Sequence, residues 1–326
     1  MGRRSADLSA AQHIENFLQL LAAGLLTGAV YGLMCVGLSV IFGVMRVINF
    51  AQGEFMMLGM YFAFYCFGAI SGYMVFGDLV APFVAALAVG PAVFLVGLLV
   101  HKGLVSQVTG ISGSALEAEG HYAQLVLTLG VSLILANGGL IVFGSAPVSI
   151  ATPLSSTPWI VGPLHGEDIL LFINQAQTIA ALIAVAVVVA FAALMANSRL
   201  GRALRAAADN PVAAVYMGID VDRAYRIAFG FGVGITAVGG GLLASTNPFQ
   251  PYVGIDYVIV MYAGVVLGGL GSLRGAFLGG LTIGLVQQLS ALFLPNQLQN
   301  TAIFVCFLLI VLLRPQGLFG RAARRA

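Results

Sequence analysis

Seven stretches of this chain run for more than 20 residues without an Asp, Glu, Lys or Arg: 16–45, 55–77, 79–101, 120–166, 169–198, 227–255 and 275–313. A helix that crosses a membrane needs about 20 mostly apolar residues, so the charge pattern alone leaves little room for a water-soluble fold. Composition agrees: 8% of residues are charged and 60% hydrophobic, whereas soluble domains carry about 25% charged residues. The 42 glycines lie inside the apolar runs, where they let helix backbones approach closely, and not in polar linkers. The expected fold is all-α, a polytopic transmembrane helical bundle formed by 1–326 as a single domain. Spans are expected near 17–42, 54–77, 79–100, 123–144, 177–196, 226–246, 257–270, 276–294 and 298–313. That is about nine, with eight or ten also compatible.

Several function classes fall away on composition. The net charge of +2 and the scattered basic residues give no surface for nucleic acid. Cys35, Cys66 and Cys306 sit singly in apolar stretches, and His13, His101, His121 and His165 are dispersed, so no metal or Cys/His constellation is expected. The lone lysine, Lys102, is not part of a phosphate-binding glycine loop, so the chain is not expected to be an ATPase or other enzyme. The N-terminal apolar run is too long for a cleaved leader and reads as a retained first span.

Basic residues orient the chain. The 197–226 segment holds Arg199, Arg202, Arg205, Arg223 and Arg226, and the tail holds Arg314, Arg321, Arg324 and Arg325. Both are expected on the cytoplasmic side. The 145–176 connection carries Glu167 and Asp168 without a basic residue, which places it outside. Nine spans then put the N-terminus outside too, against Arg3 and Arg4. The outer connection holds Trp159, the sole tryptophan. It reads either as a non-helical cap anchored at the interface or as a docking surface.

Three stretches can carry function. In VMRVINFAQGEF (44–55), Arg46, Asn49, Gln52 and Glu54 interrupt apolar sequence, with Gly53 as a helix breaker. Polar groups at membrane depth are costly unless they face a protein interior or a solute path. The bland reading is a solvated turn. In GVVLGGLGSLRG (264–275), followed by Gly279, Gly280 and Gly284, glycines suggest a tight turn between packed helices. Gly24, Gly28 and Gly32 put a small-residue face on the first span. In RLGRALRAAADNPVAAVYMGIDVDR (199–223), Asn210 and Pro211 suit a helix start and Gly218 a helix stop. The short helix between them would expose Val215, Tyr216 and Met217, which fits a partner's groove or the lipid headgroups.

The stretch GLSVIFGVMRVINFAQGEF (37–55) resembles the signature of branched-chain amino-acid ABC transporter permeases, of the subunit that pairs with a second, distinct permease. The segments 201–223, VLGGLGSLRGA (266–276) and LLRPQGLFG (312–320) resemble the same family. The resemblance implies a multi-pass bacterial inner-membrane importer subunit with its C-terminus in the cytoplasm. It implies two ATPase subunits, a second permease and a periplasmic solute-binding protein as partners, beside membrane lipid. It implies no cofactor or metal on this chain, ATP being used by the partners. It also places a coupling helix in 197–226, over Pro211, Ala213, Ala214, Val215, Tyr216, Met217 and Gly218. The A-A-x3-G part of the usual coupling pattern is present, while Val212 stands where its Glu would be. Asn49, Gln52, Gly53 and Glu54 are the expected residues near the translocation path, which would work by alternating access. A permease of the same class for urea or short-chain amides, and an ion-coupled secondary transporter using Glu54, are the rival readings.

Overall fold

A computed structural model of the chain describes residues 2–72, 77–107, 118–164, 169–295, 298–314 and 317. The helices are α1 (Gly2–Met45), α2 (Gln52–Ile70), α3 (Gly77–Gly103), α4 (Ala118–Phe143), α5 (Pro153–Ser156), α6 (Gln175–Asn197), α7 (Arg199–Asp209), α8 (Pro211–Tyr216), α9 (Val221–Ala244), α10 (Val253–Gly268), α11 (Leu273–Ser290) and α12 (Gln299–Leu313). Six are long and apolar enough to cross a membrane: Gln12–Met45, Gln52–Ile70, Leu79–Gln107, Tyr122–Phe143, Gln175–Asn197 and Val221–Ala244. The remaining expected spans are helices too, of 16 residues (α10), 18 residues (α11) and 15 residues (α12). The molecule is thus a helical membrane bundle.

The bundle is organised around α9, which is enclosed by α1, α2 and α3, with 89% of its spanning window buried. Its sequence, VDRAYRIAFGFGVGITAVGGGLLA, supplies a small residue at nearly every contact, so three neighbours approach its backbone. α4 and α6 lie at the other extreme, with 22% and 28% of their windows buried. Their large apolar side chains, such as Leu133, Ile141, Leu182 and Val189, point outward, as a hydrocarbon solvent favours.

The glycine face of α1 meets α11. A Cβ on Gly28 would lie 2.7 Å from the Leu281 carbonyl oxygen, and one on Gly280 would lie 2.5 Å from the Gly32 Cα. Both distances are shorter than side chains tolerate, so this seam exists only because both helices offer glycine. The run 264–275 is the tight turn joining α10 and α11, with Gly269 at φ 95° and Gly271 at φ 82°.

Two features depart from the expectation. The outer connection is not simply irregular: β1 (Pro158–Leu164) and β2 (Ile169–Asn174) form an antiparallel hairpin pairing Trp159 with Ile173 and Ile160 with Phe172. Its strands are rich in β-branched and aromatic residues, which favour a pleated pair, so the all-α reading needs this addition. Val148 exchanges backbone hydrogen bonds of 2.9 Å with Phe249, tying the connection to the α9–α10 link. Trp159 stays 46% exposed. The second departure is α7, a helix in a segment expected to hold only the short one that follows. Ser198 caps it, and Gly201, Leu204 and Ala207 line its buried side at three-residue spacing. Of the charges used for orientation, Glu167, Asp168, Arg321, Arg324, Arg325 and the side chains of Arg3 and Arg4 lie outside the described residues.

Candidate functional site

Helix α1 stops because Arg46 takes a left-handed conformation, φ 56°, a state that costs a non-glycine residue about 1 kcal/mol. The chain then turns back, and α2 starts at Gln52. The Gln52 Nε2 donates to the Gly232 carbonyl (3.1 Å) and to Thr236 Oγ1 (2.5 Å), and both residues lie near the middle of α9. These contacts bring the Asn49 and Gln52 amides into the interior of the bundle, while Arg46 stays exposed.

Within the turn every amide is engaged. Asn49 Nδ2 donates to Gln52 Oε1 at 2.9 Å, and Asn49 Oδ1 accepts from the Ala51 N–H at 3.2 Å. Thr236 Oγ1 in turn donates to the Met34 carbonyl at 3.3 Å. One network thus joins α1, the turn, α2 and α9. Asn49 and Gln52 are fully buried and Glu54 is 1% exposed. Buried amides left unbonded would each cost about 1–3 kcal/mol, which is why this connection has so little freedom.

Gly53 and Glu54 face the start of α10. A Cβ on Gly53 would fall on the carbonyl oxygen of Gly254, and one on Gly254 would lie 2.7 Å from the Glu54 carboxyl carbon. Two helix starts thus converge inside the bundle with one carboxylate between them. Ser132 of α4 lies beside that carboxylate, while Oε2 is buried with no hydrogen-bond partner among the described residues. Interrupted helices meeting at depth are the arrangement from which solute sites in transporters are built. A cavity of about 440 Å³ opens next to the turn, between Phe42, Arg46, Ile48, Gln124, Leu125 and the Leu270–Gly271 corner. Thr128 Oγ1 reaches the Ile48 carbonyl at 3.4 Å, so α4 also holds this edge.

Sequence reasoning singled out Asn49, Gln52, Gly53 and Glu54, and the structure brings all of them together. It missed Thr236 and Gly232. A signal existed, since Thr236 is the one polar side chain in the run IAFGFGVGITAVGGGLLA (227–244).

The second expected site lies in the segment after α7. Asn210 caps α8, its side chain accepting from the Ala213 N–H at 3.0 Å, and Pro211 occupies the first turn. Gly218, at φ 78°, ends it. Ala214 faces inward at 3% exposure, while Tyr216 and Met217 are 84% and 82% exposed and Val212 and Val215 about half so. The expected residues form one short helix with an apolar outer face.

These features define a multi-pass helical membrane protein with a buried polar turn between its first two helices. Residues 20–313 match the family model described as the permease component of the branched-chain amino acid transport system, and the chain belongs to that family. It is 28% identical over 312 residues to the high-affinity branched-chain amino acid transport system permease protein LivH of Escherichia coli (strain K12), covering 94% of this chain and 96% of that protein. It is similarly 28% identical over 309 residues to the permease protein BraD of Pseudomonas aeruginosa, covering 94% and 97%. A probable branched-chain amino acid transport permease of Methanocaldococcus jannaschii is 27% identical over 271 residues, covering 81% of this chain and 78% of its own. No solved structure matches the chain. The protein is thus a transport component of the permease type.

Proposed function

We propose that this chain is the transmembrane subunit of an ATP-driven importer that carries branched-chain amino acids into the cytoplasm by alternating access. The observation that carries the reading is α8: a helix capped at both ends whose Val215, Tyr216 and Met217 project outward with nothing among the described residues to cover them. Such a patch on a membrane protein is a docking surface, and it suits the groove of an ATPase subunit. The proposed assembly holds two ATPases, a second permease and a periplasmic binding protein, in a bacterial inner membrane. In it α7, α8 and the C-terminus face the cytoplasm and the β1–β2 hairpin faces outward. α10, α11 and α12 complete nine spans, and ATP is bound and hydrolysed by the partner subunits.

In this scheme closure of the ATPases moves α8, and the movement repacks the helices about the buried polar turn. Glu54, with one carboxylate oxygen unpaired, is the side chain of the four placed to meet a polar solute. Asn49, Gln52 and Gly53 set its position.

The test is purification of the tagged chain in mild detergent from its native membrane, followed by leucine uptake in proteoliposomes. Recovery of P-loop ATPases and a second permease, with uptake that needs ATP, supports the proposal. Isolation of the chain alone, with solute movement independent of ATP, overturns it in favour of ion coupling. Uptake of urea or amides but not leucine overturns the cargo. Transport that survives simultaneous replacement of Asn49, Gln52 and Glu54 overturns the path.

A further inference from the structure

A separate cavity, about 410 Å³, opens where α1 and α6 end, between the second half of α7 and the start of α11. Its inner wall is apolar, formed by Val40, Val44 and Ala192 among others. Its rim is not. Arg205 from α7 and Arg274 from α11 stand there with Asp209, two guanidiniums against one carboxylate. Arg205 is held in place by donating to the Met195 and Ala196 carbonyls that end α6. Arg274 is exposed and has neither hydrogen bond nor ion pair among the described residues.

Two further groups point to a ligand with oxygen atoms. Ser39 lines the same cavity, is 1% exposed, and its hydroxyl is buried without a hydrogen-bond partner. The 18-residue α11 starts at the rim, with Ser272 taking the Gly275 N–H, so the positive end of its dipole adds to the guanidiniums. Neither the permease reading nor the packing of the bundle uses Arg274 or the Ser39 hydroxyl.

We propose that this cavity binds the phosphate of an anionic membrane phospholipid, with the headgroup between Arg205 and Arg274 and the acyl chains along the α1–α6 wall. Guanidinium groups match phosphate oxygens in geometry and charge, and basic pockets between membrane helices suit acidic headgroups. The apolar wall selects a lipid over a soluble anion: a free phosphate would leave Val40, Val44 and Ala192 uncovered. The position fits as well, because spanning helices end at the level of headgroups.

The experiment uses the detergent-purified complex, stripped of lipid and titrated with dioleoyl phosphatidylglycerol or with dioleoyl phosphatidylcholine, with bound lipid read by native mass spectrometry and stability by Tm. Phosphatidylglycerol is expected to bind and to raise Tm, and phosphatidylcholine, with identical chains, to do so far less. Arg274→Gln is expected to weaken the phosphatidylglycerol response about tenfold, the worth of one charge-assisted contact, with Arg274→Lys retaining part of it. Ser39→Ala gives a second, milder variant should Arg274→Gln fail to fold, and a reduced response there supports the site. Arg46→Gln, in the neighbouring cavity, is expected to leave the response unchanged. Equal binding of the two lipids, or an unaltered response in both Arg274→Gln and Ser39→Ala, overturns the proposal. So does the same stabilisation by millimolar inorganic phosphate alone, which would make the ligand a soluble anion. Loss of the ATPase from Arg274→Gln complexes with lipid binding intact would make the rim a protein interface and likewise overturn it.

Discussion

The turn at 46–51 and the helix pair α7–α8 are both polar interruptions in apolar sequence, and the structure uses them in opposite ways. In the turn the polar groups lie inside. Asn49, Gln52 and Thr236 satisfy one another, and what reaches outward is the Arg46 end of the segment. In α8, Asn210 and Gly218 start and stop the helix and what reaches outward is apolar, while the preceding α7 turns Arg199, Arg202, Arg205 and Asp209 outward. A closed hydrogen-bond network fixes a position. A capped helix with a bare apolar face is complete by itself and leaves that face open. The first region holds the bundle together, and the second is available to something outside it.

The comparison can be broken most severely at Gly53. Gly53→Val places atoms on the Gly254 carbonyl and is expected to cost about 3 kcal/mol or more, so that little monodisperse protein elutes on size exclusion. Gly138→Val, on α4 with open space around it, is the control and is expected to elute normally. If both behave alike, the convergence of α2 and α10 is not as tight as described.

Next in size is Gln52→Leu. It leaves Asn49 Nδ2 without its acceptor and removes the bonds to the Gly232 carbonyl and Thr236 Oγ1, and a loss of about 2–3 kcal/mol is expected, read as a lower Tm. Thr236→Val removes one partner only and is expected to cost about half as much. Asn210→Ala, by contrast, deletes a cap on a surface helix. Its expected cost is about 1 kcal/mol, confined to α8 and visible as faster hydrogen exchange at the Ala213 amide.

The smallest stability effect belongs to the exposed face. Tyr216→Ser with Met217→Ser is expected to leave Tm within the equivalent of about 0.5 kcal/mol while reducing ATPase recovery in the pull-down. A drop in Tm as large as that of Gln52→Leu would mean that α8 is structural, and the contrast between the two regions would fail.

Much of this was legible in the sequence because a membrane simplifies the reading. Charges mark the ends of apolar helices, and the Gly24, Gly28 and Gly32 face announced a close partner. Which helix that partner is could not be read, since Gly280 and Gly284 on α11 are local features like any other glycine pair. Asn210, Pro211 and Gly218 were sufficient for α8, because capping is a short-range interaction. α7 was hidden by its three arginines, Arg199, Arg202 and Arg205: its buried side consists of Gly201, Leu204 and Ala207, too small to stand out as a hydrophobic stripe. The burial of the polar turn was beyond local reasoning altogether. Whether Asn49 and Gln52 are solvated or buried depends on Gly232 and Thr236, and no pattern near residue 50 refers to them.

That separation has a consequence in time. Gln52 finds its acceptors 180 and 184 residues further along the chain. A ribosome adds about 5–20 residues per second, so for roughly 10–40 s after the turn is made its amides have no α9 to bond. During that interval α1 can already sit in the membrane while the segment after it waits at the translocation machinery or in water. Completion of this protein is therefore timed by the arrival of α9, and a nascent chain cut short before it would hold α1 without the means to fold back on it.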